Sequence, residues 1–576
     1  MLFFALTLCA MSGSRAAGRS YPDYSGGSGY VSFHGRVSLL KNAEVLCRVW
    51  GYVKYHHPAF ADTTLNADYE LFGLLPKVMP ASAAERNRIL SDWIDGLGPF
   101  TPAPDEYRRM LDTLSHSSIV DLDWIGDRRE LGRKLSRTLA DLRYARRDRV
   151  RYAERTLSLD PATLGYCYGN ETDCFQGMPP DLGGRMLALF RYWNIIEYFF
   201  PYKGLTDTPW REVLTRHLVD VMRAATWPDY RAAMGRVVAE VCDTHAFSAD
   251  PLLYICPGYR RVPFDLRVVE GRMIVVSAQE YDDPPIDDST CFRPGDEILS
   301  VGGRTVDSLK KAMKEFCALS NEASLDARLA DFMPVSDRTL ERVRFVRDSV
   351  VRDTVVRTLS SQTFWAKRNR ARRQERPYRL IGDSIGYIYA GAFYNEYVDE
   401  IVDKLWHTKA IVFDLRAYPS EPLIYPFIND RVLDDCRPGA IFSIPVPLLP
   451  GYFYDETGSY GRNNPDAYRG RIVVLADERS MSQSETTIME LQSRPGTVTV
   501  GSQTKGANGD LSRVTMPGSF TSTFSGYGVR YPDGRQTQRT GVRIDVEARP
   551  TVRGIAEGRD EVLEKALEII ERNAER

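Results

Sequence analysis

The chain has 576 residues, 43% of them hydrophobic, and its 75 Lys and Arg nearly balance its 77 Asp and Glu for a net charge of −2. A chain this long exceeds one hydrophobic core and implies several domains, and its apolar content excludes a disordered or fibrous protein. The balanced charge offers no polycationic surface for nucleic acid, and after the first residues no stretch approaches the roughly 20 apolar residues that a membrane span needs.

The sequence opens with MLFFALTLCAMSGSRAAG, an apolar run followed by small residues. That pattern predicts a signal peptide over residues 1–17, cleaved near Ala16 or Ala17, although the usual basic start is missing. The mature protein is then exported, periplasmic or attached to the cell envelope, with no integral membrane segment once the signal is removed. Cys9 is the less favoured route to a lipid anchor, because LTLC lacks a small residue before the cysteine. Residues 18–37, which include the Gly/Ser-rich YPDYSGGSGY, read as a flexible leader. Nine cysteines occur without a CxxC pair, which argues against a zinc ribbon or a thioredoxin motif. Cys167 and Cys174 in CYGNETDC are either a small disulfide loop or two unrelated thiols.

From Leu39 to Pro58 the apolar residues fall at helical spacing, and a second segment aligns with this one without a gap: LCRVWGYVKYHHP against LFRYWNIIEYFFP. The matched positions are Leu46/Leu189, Arg48/Arg191, Trp50/Trp193, Tyr55/Tyr198 and Pro58/Pro201. Each copy leads into a further helical stretch, NADYELFGLLPKVM in one and WREVLTRHLVDVM in the other. This predicts a duplicated helical unit, with repeats over 38–155 and 156–258. The repeated Trp and Tyr read as core packing rather than as a cofactor box.

From Arg261 the pattern changes to short alternating strands. RPGDEILSVGGRTV supplies a turn, a strand, a Gly-Gly turn and the start of a helix, so residues 259–362 are expected to form a small β-rich domain. The basic run AKRNRARRQERPYR, Ala366–Arg379, reads as a solvated linker rather than as a patch for acidic surfaces. Beyond Ile381 strands and helices alternate. That predicts parallel or mixed strands with covering helices over 363–576, with chemistry where strands end and helices begin.

ERSMSQSET, Glu478–Thr486, sits at such a place, after RIVVLAD and before TTIMELQ. A serine hydroxyl becomes a nucleophile when a base takes its proton and donors stabilise the oxyanion that forms. A tight strand-to-helix turn exposes the hydroxyl and aims the first N–H groups of the helix at the developing charge. The same residues also fit an ordinary helix start, with Ser480, Ser482 and Ser484 as capping hydroxyls and Glu485 completing a capping box.

DLRAYPS at 414–420, SMSQSE at 480–485 and VGSQTKGANG at 500–509, with RPGDEILSVGGRTV and the late GVRIDVEARPT, resemble in order and spacing the tail-specific (C-terminal processing) serine protease family over 261–576. The helical N-terminal half resembles the tricorn-like branch of that family. The resemblance implies a multidomain α+β protein with helical N-terminal repeats, a small β-rich PDZ-like domain and a C-terminal α/β crotonase-like (ββα spiral) protease domain. It implies Ser482, three residues before Glu485, as the nucleophile.

Two branches of the family differ in the base. One uses a lysine in the loop after the next strand, which points to Lys505; such a base needs burial to lower its pKa from about 10.4, and its neighbours Gly506 and Asn508 give no sign of burial. The other uses a histidine ahead of the PDZ segment in a D-x-H setting. That points to His245 beside Asp243, the only one of seven histidines so placed, and one that needs no large shift to act as base. His245 is the preferred base and Lys505 the alternative. Where the tricorn-like pattern has a glutamate, QTQRTGVRID offers Gln538, which can hold the imidazole by hydrogen bonding.

DLR is followed by Ala417-Tyr418-Pro419-Ser420 where the family has an Asn and two glycines. Pro419 has no N–H to give, which leaves the N–H groups of Ser420 and Gln483 as oxyanion donors. Gly295, Asp296 and Ile298 are the expected peptide-binding positions of the PDZ-like segment. The implied protein is an exported serine endopeptidase that acts through an acyl-enzyme on peptides or unfolded proteins recruited by strand addition. No metal or organic cofactor is implied, and homo-oligomerisation is left open. The competing class is a catalytically impaired peptide-binding or scaffold protein of the same fold, favoured by the missing glycines and the missing acid.

Overall fold

The computed structural model of the chain describes residues 19–32, 40–106, 108–109, 119–157, 165–171, 173, 175–247, 258–278, 292–420 and 424–572. The expected signal peptide lies outside them, as does Cys174 of the suggested disulfide.

The N-terminal half is built from α1 (Leu40–His56), α2 (Ala67–Val78), α3 (Ala83–Asp95) and α4 (Arg128–Leu142), the short strands β1 (Thr156–Leu157) and β2 (Gly165–Cys167), and then α5 (Leu182–Phe199), α6 (Trp210–Arg223) and α7 (Trp227–Ala239). The two aligned sequence stretches are α1 and α5, and they pack on each other. Where they meet, a Cβ on Gly51 would lie 2.0 Å from Asn194, its aligned counterpart. Asn194 fills that space and donates to Cys47 O at 3.1 Å. The paired tryptophans do equivalent work. Trp50 Nε1 donates to Ala67 O at 2.7 Å and Trp193 Nε1 to Trp210 O at 3.0 Å, each pinning its helix to the first residue of the next. Tyr55 and Tyr198 meet edge-on at 5.3 Å. All four rings are buried, so these aromatics are core.

The matched arginines diverge. Arg48 pairs with Glu44 near the surface, whereas Arg191 is enclosed with Asp68 at 2.6 Å and Glu171 at 3.1 Å. The other Glu171 oxygen holds Lys54 at 2.5 Å, and Arg191 Nη1 donates to Thr515 O at 2.7 Å. Residues 19–32, expected as a loose arm, are seated on the helices. Ser28 donates through N and Oγ to Asp181 at 2.8 and 2.7 Å, and Gly183 N donates to Tyr30 O at 2.8 Å.

In the middle of the chain, β3 (Phe264–Val269), β4 (Arg272–Ala278), β5 (Glu297–Val301), β6 (Leu340–Arg347) and β7 (Val350–Arg357) form an antiparallel sheet in the order β7-β6-β5-β4-β3. With α8 (Val306–Phe316) and α9 (Glu322–Phe332) it closes a core of its own. Strand β3 is an edge and lies along α9. The fold itself uses Gly295, Asp296 and Ile298, which corrects their assignment to peptide binding. Ile298 is buried in the core; the Asp296 carboxylate takes Arg347 at 2.6 Å and the Arg293 N–H at 2.8 Å; and Gly295, at φ 96°, fits against Ala556 with no room for a Cβ. The basic run read as a linker begins inside α10 (Ser361–Gln374), whose Arg368 reaches Asp265 on β3 at 3.0 Å.

The C-terminal part runs β8 (Tyr378–Ile381), β9 (Ile385–Tyr389), α11 (Val398–Leu405), β10 (Ala410–Asp414), a hairpin of β11 (Arg437–Pro445) and β12 (Phe453–Tyr460), β13 (Arg471–Ala476), α12 (Gln483–Gln492), β14 (Val498–Gly501), β15 (Leu511–Met516), β16 (Phe520–Ser525), β17 (Val546–Glu547) and α13 (Glu561–Arg572). The sheet order is β8-β9-β10-β13-β14-β17, parallel from β9 onward. Period-two alternation splits β10 and β13 between two cores. Ile411, Phe413, Ile472 and Val474 face the α11/α12 side, while Val412, Val473 and Leu475 face α13. Strands β15 and β16 leave this sheet. They pair through β15 with β2, and Val514, Met516, Phe520 and Phe524 are buried in the N-terminal helical core. The helical half and the C-terminal part therefore share one core, which the sequence division at residue 258 does not anticipate.

Candidate active site

Strands β10, β13 and β14 are neighbours and point the same way, so the loops at their C-terminal ends lie side by side. These loops carry Leu415–Ser420, Asp477–Ser482 and Ser502–Ala507. Ser482 caps α12 at φ 54°, ψ −113°, a conformation that residues with a Cβ hold only when surrounding structure forces it. Here the forcing groups are identifiable. Ser482 N donates to Ala507 O at 2.9 Å, Ser480 Oγ to Leu415 O at 2.7 Å and Ser484 Oγ to Ala417 O at 3.3 Å. The alternate spacing of the serines thus straps the turn to the loop after β10 on either side of Ser482. Buried Glu485 accepts from Thr504 Oγ1 at 2.5 Å, Gly506 N at 2.9 Å, Ala507 N at 3.1 Å and Ser482 N at 3.3 Å. Burial pushes its pKa up to about 7 in spite of these donors. Gly506, at φ 62°, would place a Cβ 2.8 Å from the Arg539 backbone.

The first N–H of α12 belongs to Gln483, beside the Ser482 hydroxyl. The Tyr418 phenol lies against both; its burial raises its pKa, and the Ser482 hydroxyl and the Gln483 N–H act against the rise. The other expected oxyanion donor is corrected by the structure: Ser420 N donates to Ala390 O at 3.1 Å and its Oγ to Gly391 O, so that N–H is consumed in bracing the loop. Sequence reading passed over Tyr418 as a neighbour of Ser482 and Gln483. The available signal was a tyrosine standing in a turn where glycine was expected.

His245 follows α7 and docks on β16. Its Nδ1 lies 2.9 Å from Ser525 Oγ, and burial lowers its pKa, with Asp243 opposing and Arg328 and Lys505 reinforcing the shift. The Asp243 carboxylate accepts from His245 N at 3.1 Å, Ser525 N at 2.7 Å and Gln538 Nε2 at 3.1 Å. Gln538 therefore holds Asp243 and not the imidazole, a correction to its expected role, because its amide meets the carboxylate that Ser525 N and His245 N hold beside it. Lys505 N donates to Ser480 O at 3.0 Å, two residues from Ser482. Burial lowers the Lys505 pKa, with Asp331 the largest opposing charge, a setting that its glycine-flanked loop did not announce. His245 and Lys505 are thus close enough to feel each other's charge. Among the described residues neither bonds the Ser482 hydroxyl.

Residues 446–548 match the model of peptidase family S41. Over those residues, here the S41 domain, the chain is similar to the S41 peptidases. S41 enzymes are serine peptidases. The matched residues of the S41 domain include Ser482, Lys505 and Gln538, whereas His245 precedes them. Mature CPAF shares 12% identity over 68% of this chain and 98% of its own, with a TM-score of 0.51, a likeness of fold. The photosystem II D1 C-terminal processing protease shares 13% identity over 65% of this chain and 96% of its own at a TM-score of 0.40. No curated protein matches the chain. Among the described residues no helix is long and apolar enough to cross a membrane, and no group of His, Cys, Asp and Glu is arranged to hold a metal.

A cleft of about 430 Å³ opens between β3, α9 and the S41 loops, lined by Phe264, Leu266, Ala327, Tyr418 and Lys505 among others. Arg267 of β3 ties the middle domain to the turn before Ser482, with Asp477 at 2.9 Å and Glu478 at 2.8 Å. Under the turn, α12 buries Glu490, whose pKa burial pushes up to about 8 although Asn429 donates to it at 3.2 Å. The folded state then keeps a proton that the unfolded chain releases near its ordinary value, so stability from this group is full below about pH 4.5 and is lost as pH rises through 8. Glu490→Gln should stabilise the S41 domain by about 2–4 kcal/mol at pH 8 and have little effect at pH 4.5. Urea unfolding at the two pH values measures it; equal effects at both would contradict the shift.

Proposed function

We propose that the protein is an exported serine endopeptidase that cleaves through an acyl-enzyme, with Ser482 as nucleophile and His245 as the base. The observation that carries this reading is the forced backbone at Ser482, which presents a hydroxyl beside the Gln483 N–H at the start of α12. His245 suits the role because its lowered pKa keeps the imidazole neutral and able to accept a proton at neutral pH. The Ser482 hydroxyl must turn from Tyr418 toward the base on substrate binding. The edge strand β3 beside α9 supports a PDZ-like recruitment mode in which an extended peptide adds to the sheet and runs along the cleft toward Tyr418 and Lys505. Peptides and unfolded proteins are the substrates, and the apolar N-terminal segment supports export.

A second reading, with Lys505 as the base, is favoured by its burial and by the bond that fixes its backbone beside Ser480. Hydrolysis of casein or a peptide library separates the two. His245→Ala should lower kcat by about 10²–10⁴-fold while Lys505→Ala stays near wild type, and the acid limb of kcat/KM should lie below the ordinary histidine value of 6.5. The opposite pattern of losses, with a limb well above 6.5, would transfer the role to Lys505. A wild-type chain that binds peptide yet is never labelled at Ser482 by a fluorophosphonate would favour the non-catalytic alternative.

A further inference from the structure

Acyl transfer places negative charge on the substrate carbonyl oxygen, and enzymes meet it with two or more fixed donors. Of the two backbone donors expected for that task, Gln483 N–H remains, because Ser420 N–H is taken by Ala390 O. Into the gap projects Tyr418. Its main chain is braced on both sides, by Ser484 Oγ on Ala417 O and by Ser420 on Ala390 and Gly391. Its ring lines the cleft with 48% of the residue exposed, while its oxygen reaches inward to the Ser482 hydroxyl and the Gln483 N–H. The phenol thus stands beside the place that a substrate oxygen needs, in the cleft that it lines, and a phenol can donate as well as accept.

We propose that Tyr418 is a catalytic residue whose hydroxyl completes the oxyanion hole together with the Gln483 N–H. This rests on Ser482 being the nucleophile. When the scissile carbonyl enters, its oxygen takes the place of the phenol oxygen at Gln483 N–H, and the phenol shifts along the open side of the cleft to donate to that same oxygen. Ser482 Oγ then forms a bond to the carbonyl carbon, its proton passes to the base, and the C=O π pair moves onto the oxygen between the two donors. On collapse the pair returns, the C–N bond breaks and the amine leaves with the proton from the base. Tyr418 keeps its own proton throughout, consistent with the direction in which burial moves its pKa. The tyrosine thereby supplies the donor that the absent glycines would give.

Tyr418→Phe tests this, since it deletes one oxygen from a partly exposed ring. The expected result is a fall in kcat of about 10²–10³-fold, with KM within about threefold, an unchanged Tm, and a peptide boronate inhibitor weakened in parallel with kcat/KM while product peptide binds as before. Wild-type kcat in Tyr418→Phe would make the phenol a spectator, and a raised kcat would make it a plug; either overturns the proposal. Loss of boronate and product binding together would reduce it to a packing role and overturn it as well. Ser482→Ala is measured alongside: if that variant hydrolyses peptide at the wild-type rate, the nucleophile assignment has failed independently of what Tyr418→Phe shows.

Discussion

Ser482→Ala is expected to lower peptide hydrolysis by about 10⁴–10⁶-fold, the loss seen when an acyl-transfer nucleophile is removed and only binding and oxyanion contacts remain. Ser482→Gly should be equally inactive, but it should melt higher than the alanine variant. Alanine keeps a Cβ at φ 54°, ψ −113°, a conformation costing on the order of 1–3 kcal/mol that glycine adopts freely. The two variants therefore separate chemistry from strain. Steady-state hydrolysis and thermal unfolding on the same preparations measure both. Near-wild-type hydrolysis in either would remove Ser482 from the chemistry, and equal Tm values would mean that the turn stores no strain.

The largest stability effect is expected far from the nucleophile, at Glu171. Its carboxylate is enclosed between Lys54 and Arg191, and Lys54 otherwise faces the rings of Trp50 and Tyr152 at 4.8 and 4.4 Å. Glu171→Ala leaves two buried cations with only Asp68 near them, which should cost about 3–5 kcal/mol. Replacing Lys54 and Glu171 together by Met should recover most of that loss, because neither charge is then stranded. Chemical denaturation of the single and double variants gives the comparison. A single variant within about 0.5 kcal/mol of wild type, the range of ordinary surface substitutions, would show that the cluster is hydrated and not sealed.

What the sequence made legible follows from where the deciding interactions are local. The capping pattern around SMSQSE marked a forced helix start because Ser480, Ser484 and Glu485 act within a few residues of Ser482. The Trp50/Trp193 pair was readable as core because helical periodicity and the duplicate agree, and each indole makes the same bond in its own copy. Arg48 and Arg191 match in sequence yet meet different neighbours, because one copy is buried under β15. Lys505 looked exposed beside Gly506; the charges that act on it, Asp331 and Arg328, come from α9, far from it in sequence. Gln538 was matched to an acid by position, and its actual partner Asp243 is set by how β16 seats His245. The engagement of Ser420 by Ala390 likewise depends on a loop crossing that spacing does not encode.

The hairpin of β15 and β16 has a bearing on synthesis. Val514, Met516, Phe520 and Phe524 fill the centre of a core whose other members come from the first half of the chain. Because Phe524 belongs to that core, the core can be complete only once that residue has been made. His245 sits on the same hairpin, through Ser525, so its side chain reaches its final setting in the same late event. Any chain cut short before the hairpin lacks these four core residues and the Ser525 partner of His245 together.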